Sequence, residues 1–286
     1  MYLHPITRIS RSAVIIAIDG SISMEEETLF HETPMRKREA AALIANFFID
    51  ELLMRSTRAG DLRDYYDIAI FRYTNDNIEP IIASEEMGVV HINSLQEAIP
   101  QPVCYNIVGN KSDGTQSMIP LTLNEWVTPH AYGSAPMYEM FVHIKGLITK
   151  WCDDRFNRHS FPPIIVHISD GWSSDAEEEE LLDIAEEIKS IGTKEGNTLL
   201  VNIYLSNRYD EATSIVFPSH GQHIDQDAQM LYDMSSLLPD ELEGVVMELT
   251  GSTNNKPYKC FARNAALCEI LTLADIGTEE CKRHSI

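Results

Sequence analysis

Three side chains that carry oxygen alternate along one short stretch of the chain, directly after an apolar run at residues 13–18. The stretch reads D-G-S-I-S and contains Asp19, Ser21 and Ser23. Alternate residues of an extended turn point the same way, so these three side chains are predicted to converge. Hard cations such as Mg²⁺ or Mn²⁺ prefer oxygen ligands and often bind few carboxylates. We therefore predict half of a divalent-metal site here.

A second apolar run, at residues 164–168, ends in the sequence S-D-G, which contains Asp170. In open parallel sheets, ligands bind at the carboxyl ends of the strands, so Asp170 is predicted to lie near Asp19. The D-x-S-x-S pattern alone is weak evidence for a metal site, because Ser21 could simply cap a helix. A buried strand before the motif, a long helix after it and a second strand ending in Asp-Gly together favour the metal site.

Strands and helices that alternate along the chain must position these residues. Strands are predicted at 13–18, 66–73, 78–83, 164–168, 199–205 and 214–217, and helices at 34–58, 136–151, 175–191, 228–238 and 264–273. Turn-forming residues at 74–77 make the second and third strands an antiparallel hairpin. The order predicts an α/β fold: a doubly wound, mostly parallel sheet with one antiparallel edge strand and helices on both faces.

The length of 286 residues fits one large domain. We predict a core at about 12–217, an insertion at about 84–130 that prolines and glycines interrupt, and a helical C-terminal extension at about 218–286. The three parts together form a single domain over 1–286.

The composition argues against nucleic acids and membranes as partners and against a disulfide-rich or zinc-ribbon protein. Lys and Arg number 22 against 44 Asp and Glu, a formal charge of −22, which repels nucleic acids and anionic membranes. No stretch approaches the roughly 20 apolar residues of a membrane helix, and the N-terminus lacks the pattern of a signal peptide. Five cysteines without a C-x-x-C pair indicate neither disulfides nor a zinc ribbon. We expect a cytoplasmic protein.

The two motifs resemble the von Willebrand factor A (vWA) family, whose metal-ion-dependent adhesion site (MIDAS) contains D-x-S-x-S and an aspartate in a strand-ending D-G. The resemblance covers about residues 12–217 and implies a Rossmann-like fold. It also implies a threonine ligand from a glycine-containing loop before a helix. The best match to that loop is 133–137, which places Ala135 at the threonine position. We predict that the neighbouring Ser134 supplies the hydroxyl; alternatively, a water fills the position.

The resemblance implies a non-catalytic binding module. An acidic side chain of a protein partner would complete the coordination of Mg²⁺, or of Mn²⁺ or Ca²⁺, at the five predicted ligands: Asp19, Ser21, Ser23, Ser134 and Asp170. Intracellular bacterial relatives of this kind often act with AAA+ ATPases, or beside protein kinases and phosphatases. Such partners are expected here by analogy.

Two other functions stay open. A Mg²⁺-dependent phosphatase or phosphotransferase would use Asp19 as its nucleophile; the aspartyl-phosphate version predicts a second aspartate where Ser21 stands. A structural protein with a decayed site would explain Ala135. The segment 219–225, with two histidines and an aspartate, is interpreted as a polar surface loop rather than a zinc site. Trp172, directly after Asp170-Gly171, either packs in the core or contacts a partner.

Overall fold

A mostly parallel sheet forms the centre of the protein in the computed structural model, which describes residues 2, 4–30, 33–85, 88–110, 116–207, 214–219, 224, 226–251, 257–265 and 267–277. Its strands are β1 (Ser12–Asp19), β2 (Tyr66–Thr74), β3 (Asn77–Ile82), β4 (Val90–His91), β5 (Ile164–Ser169), β6 (Leu199–Tyr204), β7 (Ile215–Val216) and β8 (Phe261–Arg263). The helices are α1 (Lys37–Ser56), α2 (Met137–Asp153), α3 (Glu178–Ser190), α4 (Gln226–Met234), α5 (Gly244–Thr250) and α6 (Leu267–Ala274).

The strand order is β7-β8-β6-β5-β1-β2-β3, and β4 also pairs with β2. The five strands from β8 to β2 in this order run parallel. Strands β3, β4 and β7 run antiparallel to their neighbours. The predicted α/β fold class is confirmed, and the predicted hairpin is the pair β2 and β3. The prediction of one antiparallel edge was incomplete, because antiparallel strands lie at both edges.

The side chains of β1 divide between the two faces of the sheet, because successive residues of a strand point in opposite directions. Val14, Ile16 and Ile18 pack in a cluster with apolar residues of α1, α5 and α6. Ile15 and Ala17 pack in a second cluster with residues of α2, α3 and α4. Burial on both faces explains why β1 reads as a continuous apolar run. The result is a sheet between two layers of helices.

Two of the wrongly predicted helix starts have a clear local physical cause. Helix α1 begins at Lys37 rather than at Pro34, because residues 33–36 pair antiparallel with residues 27–30. Helix α3 begins at Glu178 rather than at Asp175. The carboxylate of Asp175 instead accepts hydrogen bonds from the first backbone N–H groups of α2, at 3.1 and 2.9 Å. It therefore caps a helix that precedes it in sequence.

The segment predicted as an insertion contains β4, a 3₁₀ helix at Ile92–Glu97 and a separate hairpin of Pro102–Asn110 with Gln116–Asn124. Asp50 of α1 anchors this segment, because its carboxylate accepts hydrogen bonds from the backbone and side chain of Asn124 and from the indole of Trp126. The hairpin thus lies against the α1 face.

Strand β8 lies in the range predicted to be helical and pairs parallel with β6. Three residues are too few to give a recognisable alternation, so the sequence analysis missed this strand. The division into core, insertion and extension stays a prediction. Within the part of the chain that the structure describes, no helix is both long and apolar enough to cross a membrane.

Candidate metal site

Asp19 lies at the end of β1, level with the ends of the two neighbouring strands. It pairs in register with Tyr73 of β2, and Ile18 pairs with Ile168 of β5. Its side chain is buried. One carboxylate oxygen accepts the backbone N–H of Ser21 at 2.9 Å, and the other accepts the hydroxyl of Ser169 at 2.9 Å. The carboxylate is therefore fixed across two adjacent strand ends.

The two serines of the motif lie at the start of a short 3₁₀ helix, Ile22–Glu25: Ser21 is the residue before it, and Ser23 is its second residue. The hydroxyl oxygens of Ser21 and Ser23 lie 3.0 Å apart. The structure thus brings the two hydroxyls together beside Asp19.

Asp170 follows β5, and its side chain is 4% exposed. One oxygen faces the backbone N–H of Trp172 at 3.3 Å, and the other accepts a hydrogen bond from the ammonium of Lys37 at 2.9 Å. The same ammonium donates to Glu26 at 2.7 Å. Asp170 therefore already has a cationic partner from the chain itself.

Lys37 was not among the residues predicted from the sequence, although the sequence contained a signal. Arg36 directly precedes helix α1, and Lys37 and Arg38 are its first two residues. Cations are unfavourable at a helix N-terminus, because the helix dipole is positive there. Three basic residues at this position therefore indicate acidic partners nearby. Those partners are Glu25 for the two arginines, and Glu26 and Asp170 for the lysine.

The surroundings of Asp19, including the charge of Asp170, shift its ionisation. Burial, the largest cause, and the negative charge of Asp170 together raise the pKa of Asp19 to about 6. The bonds from Ser21 and Ser169 act the other way and only partly offset the rise. A buried carboxylate in this environment gains stability from a nearby cation.

A network of buried polar side chains forms the floor beneath Asp19. The Nε2 atom of His167 lies 2.8 Å from the hydroxyl of Tyr73, and its Nδ1 lies 2.7 Å from Oδ1 of Asn202. Asn202 donates in turn to Leu231 and Ser235. Burial lowers the pKa of His167 to about 4, so the imidazole is neutral at pH 7 and satisfied on both sides. This arrangement fixes the strand ends in place.

The hydroxyl of Ser134, in the loop before α2, is bonded outside the cluster around Asp19. Ser134 donates to the carboxylate of Asp76 at 2.6 Å and accepts the backbone N–H of Asp76 at 3.1 Å. Ala135 is fully buried, and its backbone N–H and carbonyl both bond to Ser174. Hydrogen bonds thus join Ser134 to the turn after β2 rather than to the cluster around Asp19. Its role as a ligand stays a prediction.

Because the hydroxyl of Ser134 is bonded to Asp76, Ser134 and Ser21 should contribute differently to Mn²⁺ affinity. We expect Ser21→Ala to weaken Mn²⁺ binding by about tenfold or more, the size of effect that removal of supporting groups has at metal sites. We expect Ser134→Ala to change it by less than about threefold, because its hydroxyl is held by Asp76. Calorimetric titration of both variants with Mn²⁺ checks this. Equal losses in the two variants would place Ser134 among the ligands.

An open cleft of about 510 Å³ lies beside the cluster. Its lining includes Ser23, Glu26, Lys37 and Asp170, together with the large side chains of Ile22, Trp172 and Tyr204. Ile22 and Trp172 are 53% and 46% exposed. Trp172 therefore does not pack in the core, and it borders the cleft next to Asp170.

The donor chemistry of the cluster fits a hard cation. Asp19, Ser21, Ser23 and Asp170 offer carboxylate and hydroxyl oxygens, the ligands that Mg²⁺ and Mn²⁺ prefer. Among the described residues, no group of three or more His, Cys, Asp or Glu is placed to hold a metal, so the fit depends on the serine hydroxyls. In the 219–225 segment, both histidines and Asp225 lie outside the described residues. Lys37, which shares Asp170, is the feature that a bound cation would have to accommodate.

The solved structures that are similar to this chain include two of one kind. One is a von Willebrand factor type A protein from Catenulispora acidiphila, 14% identical with a TM-score of 0.41, over 68% of this chain and 33% of that chain. The other is the VWA domain of SpRpn10, 13% identical with a TM-score of 0.39, over 69% and 78%. Both of these structures are named as von Willebrand factor type A proteins or domains.

The match thus spans about a third of the Catenulispora acidiphila chain. No protein-family profile matches the sequence, and no curated protein matches it. At these identities and scores the likeness does not bear on the site, and the functional conclusion depends on the strand order and the side-chain positions described above.

Proposed function

We propose that this protein is a non-catalytic, divalent-metal-dependent protein-binding module. Asp19, Ser21, Ser23 and Asp170 would hold Mg²⁺ or a similar ion, and Ser134 would join them if its hydroxyl turned away from Asp76. When bound, the ion would offer an open coordination position to a carboxylate of the partner. The observation that carries the proposal is the convergence of Asp19, the serine pair and Asp170 at adjacent strand ends beside an open cleft.

The surroundings of the cluster suit the binding of another protein. Ile22 and Trp172 are exposed at the cleft, and Tyr132 is 61% exposed. The backbone N–H of Tyr132 donates to the carbonyl of Gly20 at 2.8 Å, so this ring belongs to the same loop edge. Aromatic residues around a polar centre are typical of interface hot spots. Trp172 and Tyr132 are therefore expected to contact the partner.

Two features argue against catalysis at Asp19. The aspartyl-phosphate mechanism predicts a second aspartate two residues after Asp19, and Ser21 stands there instead. Among the described residues that line the cleft, none is a histidine or a cysteine. We extend the proposal to a cytoplasmic complex with an AAA+ ATPase or a kinase and phosphatase system, as the resemblance in sequence implies.

Affinity capture from the native host tests the proposal. We expect a partner retained by the wild-type chain in Mg²⁺ to be lost in EDTA and with Asp19→Asn, and to be weakened with Trp172→Ala. Retention that neither EDTA nor Asp19→Asn changes would contradict the metal-dependent proposal. Turnover of a generic phosphate ester that requires Asp19 would instead support a phosphatase.

A further inference from the structure

The ammonium of Lys37 lies between two carboxylates of very different exposure. It is 2.9 Å from Asp170 and 2.7 Å from Glu26. The side chains of Lys37 and Asp170 are each 4% exposed, whereas that of Glu26 is 52% exposed. One partner thus belongs to the buried candidate metal site, and the other lies at the solvent side of the cleft.

The chain also holds Lys37 and Glu26 together independently of the ammonium. The backbone N–H of Lys37 donates to the carbonyl of Glu26 at 2.9 Å. The amide of Asn207 donates to the Glu26 carboxylate at 3.1 Å, which fixes the orientation of that carboxylate. Lys37 therefore remains paired with Glu26 if its bond to Asp170 breaks.

A divalent cation and the Lys37 ammonium need the same carboxylate. Two cations held by one buried carboxylate repel each other strongly, because the low local dielectric screens them poorly. The dipole of α1 adds positive potential at Lys37, its first residue. Occupation of Asp170 by the ammonium therefore opposes metal binding, and release of the ammonium to Glu26 permits it.

We propose that Lys37 is a tethered competitor of the metal ion and sets the affinity of the site. In the metal-free protein its ammonium neutralises Asp170; on metal binding it is held by Glu26 alone. The inference rests on the proposed metal site and adds its regulation. It predicts that the fold is stable without metal and that the wild-type chain binds divalent ions more weakly than its oxygen donors alone would.

Calorimetric titration of the full, chelator-treated chain with Mn²⁺ tests the inference. We expect Lys37→Met to bind Mn²⁺ about tenfold more tightly than wild type, which is within the usual range of coupling between contacting groups. The matched control is Arg38→Met, which removes the neighbouring cation that pairs with Glu25. This control is expected to change the affinity by less than about twofold, because Arg38 does not contact Asp170.

A double-mutant cycle separates competition from the general effect of charge. Glu26→Gln removes the alternative partner of the ammonium, so it should weaken Mn²⁺ binding about threefold to tenfold when Lys37 is present. In the Lys37→Met background, Glu26→Gln should weaken Mn²⁺ binding less, because no ammonium has to be held away from Asp170. Equal costs in the two backgrounds would contradict a competitive role for Lys37.

The outcomes distinguish this inference from the proposed function. Equal or weaker Mn²⁺ binding by a folded Lys37→Met variant would overturn the inference and leave the metal site standing. If neither wild type nor folded Lys37→Met binds Mn²⁺, both are overturned. If Lys37→Met does not fold, Glu26→Gln in the wild-type background decides: weaker Mn²⁺ binding supports the inference, and unchanged or tighter binding would overturn it.

Discussion

Asp19→Asn is expected to stabilise the metal-free protein while it abolishes the response to metal. At pH 7.5 the wild-type carboxylate is charged, buried and close to the negative charge of Asp170, which together raise its pKa from 3.8 to about 6. A pKa raised by about two units corresponds to about 3 kcal/mol, and this value already includes the hydrogen bonds from Ser21 and Ser169. The free energy of unfolding in EDTA should therefore rise by up to about 3 kcal/mol.

The pH dependence of this gain has a defined sign. A carboxyl group whose pKa is raised on folding binds more protons in the native state, so wild-type stability falls as pH rises from about 4 to about 6. Asp19→Asn lacks this contribution, so its advantage should vanish below about pH 4. Urea unfolding in EDTA at several pH values measures the difference between the two proteins.

The response to metal completes the prediction. A ligand that binds only the native state raises the free energy of unfolding, so Mn²⁺ should stabilise wild type and leave Asp19→Asn unchanged. Asp61→Asn is a suitable control, because the side chain of Asp61 is 74% exposed. The free energy of unfolding of Asp61→Asn should stay within about 0.5 kcal/mol of the wild-type value, and Mn²⁺ should stabilise it as much as wild type. A metal-free Asp19→Asn less stable than wild type would refute the assigned cost of the buried charge.

The features that the sequence predicted are those encoded by neighbouring residues. The burial of β1 on both faces gives an unbroken apolar run, and the strand end places Asp19 at the edge of the sheet. The same reasoning located Asp170 after β5, a separate strand adjacent to β1. Periodicity and motif spacing therefore sufficed for the fold class and for the convergence of the carboxylates and serines.

The features that the sequence analysis missed depend on contacts between distant residues. Pro34 pairs with Leu29 instead of opening a helix, and Asp175 caps α2 instead of α3. Lys37 binds Asp170, which is 133 positions away. A single sequence shows the charge of Lys37 at a helix start but not which carboxylate offsets it. Local propensities carry no information about contacts between residues that are distant in sequence, so they did not predict these partners.

Trp151→Ala is expected to have the largest effect on stability of any change considered for this chain, about 4 kcal/mol. The side chain is 1% exposed at the end of α2 and packs in the cluster that joins this helix to β1, β2 and β5. Its indole N–H also donates to the buried carboxylate of Asp67 at 2.9 Å. The truncation therefore leaves a cavity and removes a donor from Asp67.

Trp151→Phe separates these two causes, because it keeps most of the ring volume and deletes the donor. Asp67 retains His91 at 2.6 Å and Arg11 at 3.4 Å, so we expect a loss of about 1 to 2 kcal/mol. Asp67 lies at the start of β2, whereas the candidate metal site lies at the carboxyl ends of the strands. Thermal unfolding should therefore show a less stable Trp151→Phe with an unchanged gain from Mn²⁺. A loss as large as that of Trp151→Ala would mean that the Asp67 hydrogen bond, rather than packing, dominates this end of the sheet.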